Sequence, residues 1–517
     1  MLLSRATGTV ASPKTNRSTM LLWFVILYLL ISVGIGLWAS TRVHNAKDYA
    51  VAGRSLPLPV VTATVFATWF GAEAVFGVSA TFVKDGITGV VADPFGSSMC
   101  LILAGILFSR YLYKLNIITL GDFYRMRYNR TVEVITTICI VASYLGWVAA
   151  QIKALGLIFF VVTDGAVDQS TGMFLGAAIV LTYTFFGGMF SVAFLDFVQM
   201  IVSMGGLLYI ASVVSGKAGG VVTVVSHAST AGKLDFFPPP DPWLWLTFIG
   251  AWVTMMLGSI PQQDVFQRIT SAKSANIALG GSILGASIYF CFTFVPMFIA
   301  YSATLIDPAM FGDLMQKDSQ LVLPTLVLQH MPLPAQILFF GAVLSAIMSC
   351  SSATLLAPSV TFAENVLRGL HPQMTDRQFL YVMRGCLVVF TSLVLVFALN
   401  INASIFKMVE SAYKVTLAGA FVPLVAGIFW KRATTQGALC ATFGGLVTWI
   451  LIEVLIGEKS PVPPQLIGLG VSAMGMIAGS LLPQLIGHRT PGIPLHEMHH
   501  TAGLTHHVSA HQHHNYQ

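Results

Sequence analysis

Charge is what this sequence has least of. Only 9% of its 517 residues are Asp, Glu, Lys or Arg, while 55% are apolar; soluble domains carry roughly a quarter charged residues. A chain so poor in charge cannot cover a water-facing surface, which excludes a soluble enzyme, and no polar stretch is long enough to fold as a separate soluble domain. Cysteine is scarce as well. Cys100, Cys139, Cys291, Cys350, Cys386 and Cys440 all lie in apolar stretches and form no CxxC pair, so neither a disulfide framework nor a zinc site is indicated. The 27 Lys and Arg leave a net charge of +6, but they are scattered through short gaps and build no basic stripe, which removes nucleic acid as a partner. The polar first 19 residues lead into an apolar run with no small-residue cleavage site before Ala39, the pattern of a retained helix and not of a signal peptide.

What the chain does have is a succession of apolar stretches, each near the ~20 residues that cross a bilayer. Thirteen spans are expected, at about 20–38, 58–79, 89–109, 131–161, 172–190, 192–215, 243–262, 277–303, 335–356, 380–400, 408–430, 436–456 and 465–485. The loops 39–57, 110–130, 263–276, 363–379 and 431–435 carry fourteen Lys and Arg against six in the opposing set. The positive-inside rule then makes the first set cytoplasmic, the amino terminus external and the carboxyl tail cytoplasmic. Arg5, Lys14 and Arg17, ahead of the first span, run against that asymmetry. The expectation is a multi-pass protein of the plasma (inner) membrane, in contact with lipid: a polar segment 1–19, a membrane domain 20–485 and a His-rich cytoplasmic tail 486–517. The tail holds nine of the thirteen histidines, His499, His500, His506 and His507 among them. With no Cys or acidic cluster to shape a metal site, it reads as a polar extension with nothing to pack. The loop 216–242, with Phe236, Phe237 and Pro238 to Pro240, is long enough to cover part of the external face.

A membrane helix satisfies its own backbone, so mid-membrane Gly and polar residues are informative where they free amides or carbonyls. ATWFGAEAVFG, Ala67 to Gly77, sets Gly71, Glu73 and Gly77 in the second span. MLGSIPQQDVFQR, Met256 to Arg268, sets Gly258, Ser259, Pro261, Gln262 and Gln263 in the seventh. Either alone reads as a kink or a close helix contact. Five spans apart, they mark an inverted repeat, about 58–215 and 243–430, with a solute held where the interrupted helices meet. In the ninth span LSAIMSCSSATL, Leu344 to Leu355, crowds Ser345, Ser349, Cys350, Ser351 and Ser352, either to let helices approach or to complete a cation shell. Glu73, Lys153, Asp264 and Lys414 are ionisable at membrane depth, where such groups are functional candidates by default.

Five motifs together, TLGDFYRMRY (Thr119 to Tyr128), YTFFGGMFSVAFLDFVQ (Tyr183 to Gln199), SIPQQDVFQR (Ser259 to Arg268), AIMSCSSATLLAPS (Ala346 to Ser359) and GIFWKRATTQGAL (Gly427 to Leu439), carry a resemblance. Over residues 20–485 the chain resembles the sodium:solute symporter family, and within it the branch of the high-affinity choline transporters. The resemblance implies an all-α integral membrane protein of about thirteen transmembrane helices, a leucine-transporter-like 5+5 inverted repeat with broken helices. It implies a cation-coupled secondary active symporter importing a small organic solute such as an amino acid or quaternary amine, with no enzymatic activity and no cofactor. Na+ is the implied coupling ion, with H+ the alternative. From another class comes a solute-sensing transceptor acting through a separate signalling partner; an obligate protein partner is not identified.

Carried over by motif, the cation site takes the carbonyls of Ala67, Phe70 and Ala346 and the hydroxyl of Ser349. Asp196 matches an acidic position near it, and Cys350 stands where the family usually has Ser or Thr. A hard cation wants oxygen, so a neutral thiol leaves the shell to Ser351, Asp196 or water, or leaves protons as the coupling ion. Trp69 and Trp147 match two walls of the aromatic cage that holds a quaternary ammonium in the choline branch. The third wall aligns with Gln262, an amide suited to a carboxylate, amide or imidazole. Glu73 and Gln151 complete the expected solute-binding set, while Lys153, Asp264 and Lys414 are expected to couple charge or protons. Lys153 either titrates, replaces a cation or holds a carboxylate, or else pairs structurally with Glu73. For Asp122, Arg125, Arg127, Lys431 and Arg432, topology and loop anchoring suffice.

Overall fold

A computed structural model describes residues 13–486 apart from 372, 402, 458 and 459, with side-chain burial from residue 19 onwards. Arg5, the side chains of Lys14 and Arg17, and the tail histidines lie outside the described residues. Every regular element described is helical, and the one extended contact is a bridge between Leu56 and Ala272.

Among the described residues ten helices are long and apolar enough to cross a membrane. Two more crossings are bent pairs: Leu58–Trp69 with Glu73–Asp85, turned by 55°, and Pro242–Gly258 with Gln263–Ser271, turned by 44°. These are the two spans whose Gly and polar residues announce a break. The Gln169–Lys217 helix is 49 residues long, about 73 Å at a rise of ~1.5 Å per residue, over twice the ~30 Å hydrocarbon core. It turns at Gly188 (φ 47, ψ −138) and so supplies the two adjacent spans expected at 172–190 and 192–215. Residue 188 is glycine for two reasons: the positive φ disfavours a Cβ, and that Cβ would stand 2.4 Å from the Tyr49 carbonyl oxygen.

The basic loops gather on one face. The Leu56 amide donates to the Ser271 carbonyl at 3.1 Å and the Lys273 amide to Leu56 at 2.9 Å. The Ala46 amide donates to Asp376 Oδ2 at 3.0 Å, Arg130 Nη2 to the Val366 carbonyl at 3.1 Å, and Arg127 Nε to the Gly427 carbonyl at 2.9 Å. The Thr434 amide reaches Ser480 Oγ at 3.2 Å, which brings the end of the last helix, Pro464–Leu481, to the same face. On the opposite face the Ile87 amide donates to the Lys233 carbonyl at 2.8 Å, so residues 216–242 and their short helix Val221–Thr230 lie there. Large apolar side chains such as Trp23, Leu30, Val389 and Val454 are exposed on the outside of the bundle, a surface suited to lipid.

Candidate functional site

The first break opens the backbone. The Leu58–Trp69 helix ends at Phe70 (φ −76, ψ 83). The Phe70 amide still reaches Phe66, but that of Gly71 turns back to Trp69 at 2.9 Å, and that of Ala72 donates to Gln151 Oε1 at 2.9 Å. The carbonyl of Ala67 therefore loses the amide four residues on that a continuous helix would supply. Facing the break is the Leu333–Phe362 helix, where Cys350 Sγ donates to the Thr68 carbonyl at 3.2 Å. A Cβ on Gly71 would lie 2.6 Å from Cys350 Cβ and 2.7 Å from Gln151 Oε1, so glycine here is a condition of close approach. Beside it, Thr64 and Ser349 each donate a hydroxyl to a different oxygen of the fully buried Asp196 carboxylate. Three elements thus converge on one carboxylate next to a helix with a freed carbonyl.

Above this, aromatic rings enclose the break. The Trp69, Trp147 and Tyr413 centroids are 6.4, 6.5 and 5.5 Å apart, and Tyr144 stacks on Trp147 at 5.8 Å. All four are buried. Trp69 Nε1, Trp147 Nε1, Tyr413 OH and Gln151 Nε2 have no hydrogen-bond partner. A buried donor left unpaired costs about 1–3 kcal/mol, so four in one cluster mark a place that a ligand bearing acceptors completes. The groups that act electrostatically on Tyr413 are the acidic Glu73, Asp264 and Asp93 and the Cys350 thiol. Asp93 accepts Tyr289 OH at 2.7 and 2.8 Å and Ser97 Oγ at 2.6 Å.

The other expected residues lie beside this centre or further from it. Gln262 lies beside the rings, donating to Ser143 Oγ at 3.0 Å, one turn before Trp147, and to Thr416 Oγ1 at 3.4 Å, three residues after Tyr413; Tyr413 supplies a third ring. Asp264 accepts a hydrogen bond from Tyr144 OH, and its other oxygen, Oδ2, has no partner. Lys414 pairs with Glu453 at 3.6 Å. Lys153 donates to the Ile401 carbonyl at 2.7 Å and lines a 380 Å³ cavity with Lys317, Asp318 and Gln320, so the structural pair with Glu73 is not formed.

Asp122 does more than anchor a loop. Asn365 Nδ2 donates to Asp122 and to Glu133, both at 2.9 Å, Thr119 Oγ1 donates to Asn365 at 2.7 Å, and the Leu120 amide donates to Gln263 Oε1 at 2.9 Å. This lattice closes the basic face below the break. Burial pushes the Asp122 carboxyl above its ordinary range, opposed by hydrogen bonds from Thr119, Ile118 and Asn365.

Tyr413, Thr64, Tyr144 and Asn365 were not singled out by sequence reasoning. Gly258 carried a partial signal for Tyr413, because a Cβ there would meet the Tyr413 carbonyl oxygen at 2.5 Å. A glycine announces a close approach without saying to what.

Comparison with known proteins identifies the class. The Sodium:solute symporter family matches residues 49–445, and the chain belongs to that family. It is a multi-pass membrane transporter that binds and moves a small solute, not an enzyme. The high affinity choline transporter 1 of Homo sapiens is 27% identical over 468 residues, 85% of this chain and 77% of its own. The sodium/proline symporter of Haemophilus influenzae is 25% identical over 483 residues, 88% of this chain and 93% of its own. A solved structure of a substrate-bound, outward-open Na+-coupled sialic acid symporter matches with a TM-score of 0.76 at 20% identity, covering 90% of this chain and 99% of that one. The shared fold is the leucine-transporter-like inverted repeat.

Proposed function

We propose that this chain is a Na+-coupled symporter of the plasma membrane, with its basic face cytoplasmic, importing a small organic solute that carries a cationic amine and hydrogen-bond acceptors. Amino acids and quaternary amines with a carboxylate fit that description. The observation that carries the reading is the buried trio Trp69, Trp147 and Tyr413, with its polar atoms and Gln151 Nε2 unpartnered in a field of acidic neighbours. Ring faces attract a cation, the Glu73 carboxyl offers an oxygen to an amine N–H, and the indole N–H groups, the phenol and the amide await acceptors.

The coupling ion is assigned to the carbonyls of Ala67, Phe70 and Ala346, the Ser349 hydroxyl and the Asp196 carboxylate, an all-oxygen set that suits a hard cation. Cys350 drops out of that shell: its thiol caps the Thr68 carbonyl, so the departure from Ser or Thr costs no ligand that Asp196 does not replace. Ion binding draws the broken helix to Ser349 and Asp196, and this orders Trp69 for the solute. Each positive charge moved inward through ~100 mV releases about 2.3 kcal/mol, or roughly fiftyfold in gradient, so one coupled ion is enough for accumulation.

Uptake of labelled choline, betaine, proline and neutral sugars into proteoliposomes, with Na+ and H+ gradients imposed separately, tests this. Accumulation of an amine-bearing solute under the Na+ gradient alone is expected. Accumulation under the H+ gradient alone would overturn the ion assignment. A solute that binds without being moved under either gradient would favour a sensor.

A further inference from the structure

Arg268 has no role in the binding sites just described, and it is fully buried on the Gln263–Ser271 half-helix. Its Nη1 donates to the carbonyl of Asp264, one turn back, at 3.0 Å. Nε and Nη2 have no partner. A guanidinium offers five N–H donors in a planar fork, and leaving a buried cation so poorly bonded is expensive. Such a group is explained by a second arrangement in which the free donors are used.

The fold indicates where. The half-helix packs against both the Leu58–Trp69 and the Leu333–Phe362 helices, which carry Thr64 and Ser349, the two hydroxyl donors to Asp196. Arg268 acts electrostatically on Asp196 and on Asp264, and among neutral groups on Tyr144 and Cys350. An ionised Asp196 carboxylate carries a negative charge that a bound Na+ would answer. Once the ion leaves, that negative charge is stranded in a dry interior, where an uncompensated charge is costly.

We propose that Arg268 stands in for the departed cation: its free Nε and Nη2 turn to Asp196 when the ion site is empty, which neutralises the carboxylate and lets the unloaded carrier close and return. The proposal rests on the assignment of the ion to Asp196 and Ser349. It makes Arg268 a positioning residue for the return step and not a ligand for the solute.

Hydrogen–deuterium exchange of the purified protein in nanodiscs, in NaCl against KCl, tests it without needing the solute. The readout is the exchange of peptides covering 64–72 and 345–351. In the unaltered protein, withdrawal of Na+ is expected to loosen these segments little. In Arg268→Gln it is expected to raise their exchange roughly tenfold, the worth of a charged hydrogen bond, with full recovery in NaCl. Arg268→Lys, which keeps the charge, is expected to stay near the unaltered protein and guards against misfolding of the first variant. Equal Na+ dependence in Arg268→Gln and the unaltered protein, or loosening of Arg268→Gln that NaCl does not reverse, would overturn the proposal. Ser349→Ala, made alone and with Arg268→Gln, separates the two assignments. A Na+ effect in Arg268→Gln that survives the added Ser349→Ala removes the ion site and this proposal with it, whereas no added Na+ effect in Arg268→Gln, with Na+ binding still weakened by Ser349→Ala, removes only the role of Arg268.

Discussion

The two broken spans bend by similar angles, 55° and 44°, yet their neighbours answer them differently. At the second break the glutamine side chains bridge the gap, with Asp264 Oδ2, Gln267 Oε1 and two Arg268 donors left unpartnered. Gln262 bonds Ser143 and Thr416, Gln263 accepts the Leu120 amide and donates to the Ile118 carbonyl at 3.3 Å, Gln267 donates to the Ala50 carbonyl, and all of residues 263–271 are buried. At the first break the chain leaves the Ala67 carbonyl without its helical amide, and the rings around it without partners. Related halves of one architecture thus differ in chemistry: the first leaves ring donors and a carbonyl unanswered, while the second is tied by its glutamines to residues 50 and 118–120. Symmetry of backbone does not impose symmetry of chemistry, because backbone geometry fixes where polar groups are freed and side chains decide who answers them.

The largest effect that would sharpen this contrast is expected from Asp196→Ala. It removes the acceptor of two hydroxyls and the carboxylate beside the freed carbonyl, and should weaken apparent Na+ affinity roughly 100-fold, the scale of two charged hydrogen bonds. Na+ titration of uptake reads it, and an unchanged titration would put the ion elsewhere. Gly71→Ala comes next. Overpacking of this kind costs about 1–3 kcal/mol, and Na+-driven uptake should fall about tenfold, with partial recovery when Cys350→Gly removes one of the two contacts. At the second break, Gln262→Leu removes two neutral hydrogen bonds while Ser143 and Thr416 keep theirs to the Ile140 and Gly258 carbonyls, so the fold should lose about 1–2 kcal/mol, read as a lower thermal midpoint, with the order of preferred solutes unchanged. A changed order would return Gln262 to the solute site.

Smaller still, Tyr413→Phe removes a hydroxyl with no partner in the protein. Stability should stay within ~0.5 kcal/mol, while KM rises about tenfold with kcat preserved, as for loss of one ligand hydrogen bond. The smallest change is expected from Lys153→Leu, whose ammonium donates to the Ile401 carbonyl at the rim of a cavity that Asp318 also lines. Uptake and its pH profile should be unmoved, and a displaced pH optimum would bring Lys153 back into coupling.

Much of this was legible in the residues, for a physical reason. Gly71, Glu73, Pro261 and the paired glutamines interrupt apolar stretches, and in a bilayer such interruptions must be answered by neighbouring groups. Both breaks therefore stand out locally, as do the basic loops and the turn dividing residues 172–190 from 192–215. What stayed hidden depends on contacts between distant segments. Tyr413 is 344 positions from Trp69 in the chain, and nothing local says that its ring closes the trio. The partners of Lys414 and Lys153, namely Glu453 and the Ile401 carbonyl, lie on elements beyond reach of any motif. For Gln262 the resemblance names a wall of the cage, and only the fold shows that its amide also bonds Ser143 and Thr416.

Cys350 has one more consequence. The thiol is free, fully buried and wedged against Gly71, so a mercurial or maleimide reaches it only after the first broken span has moved away. Once attached, the adduct would prop the two helices apart. The rate of labelling at this single sulfur is therefore a clock for how often the carrier opens, and the labelled molecule is one stopped in that posture.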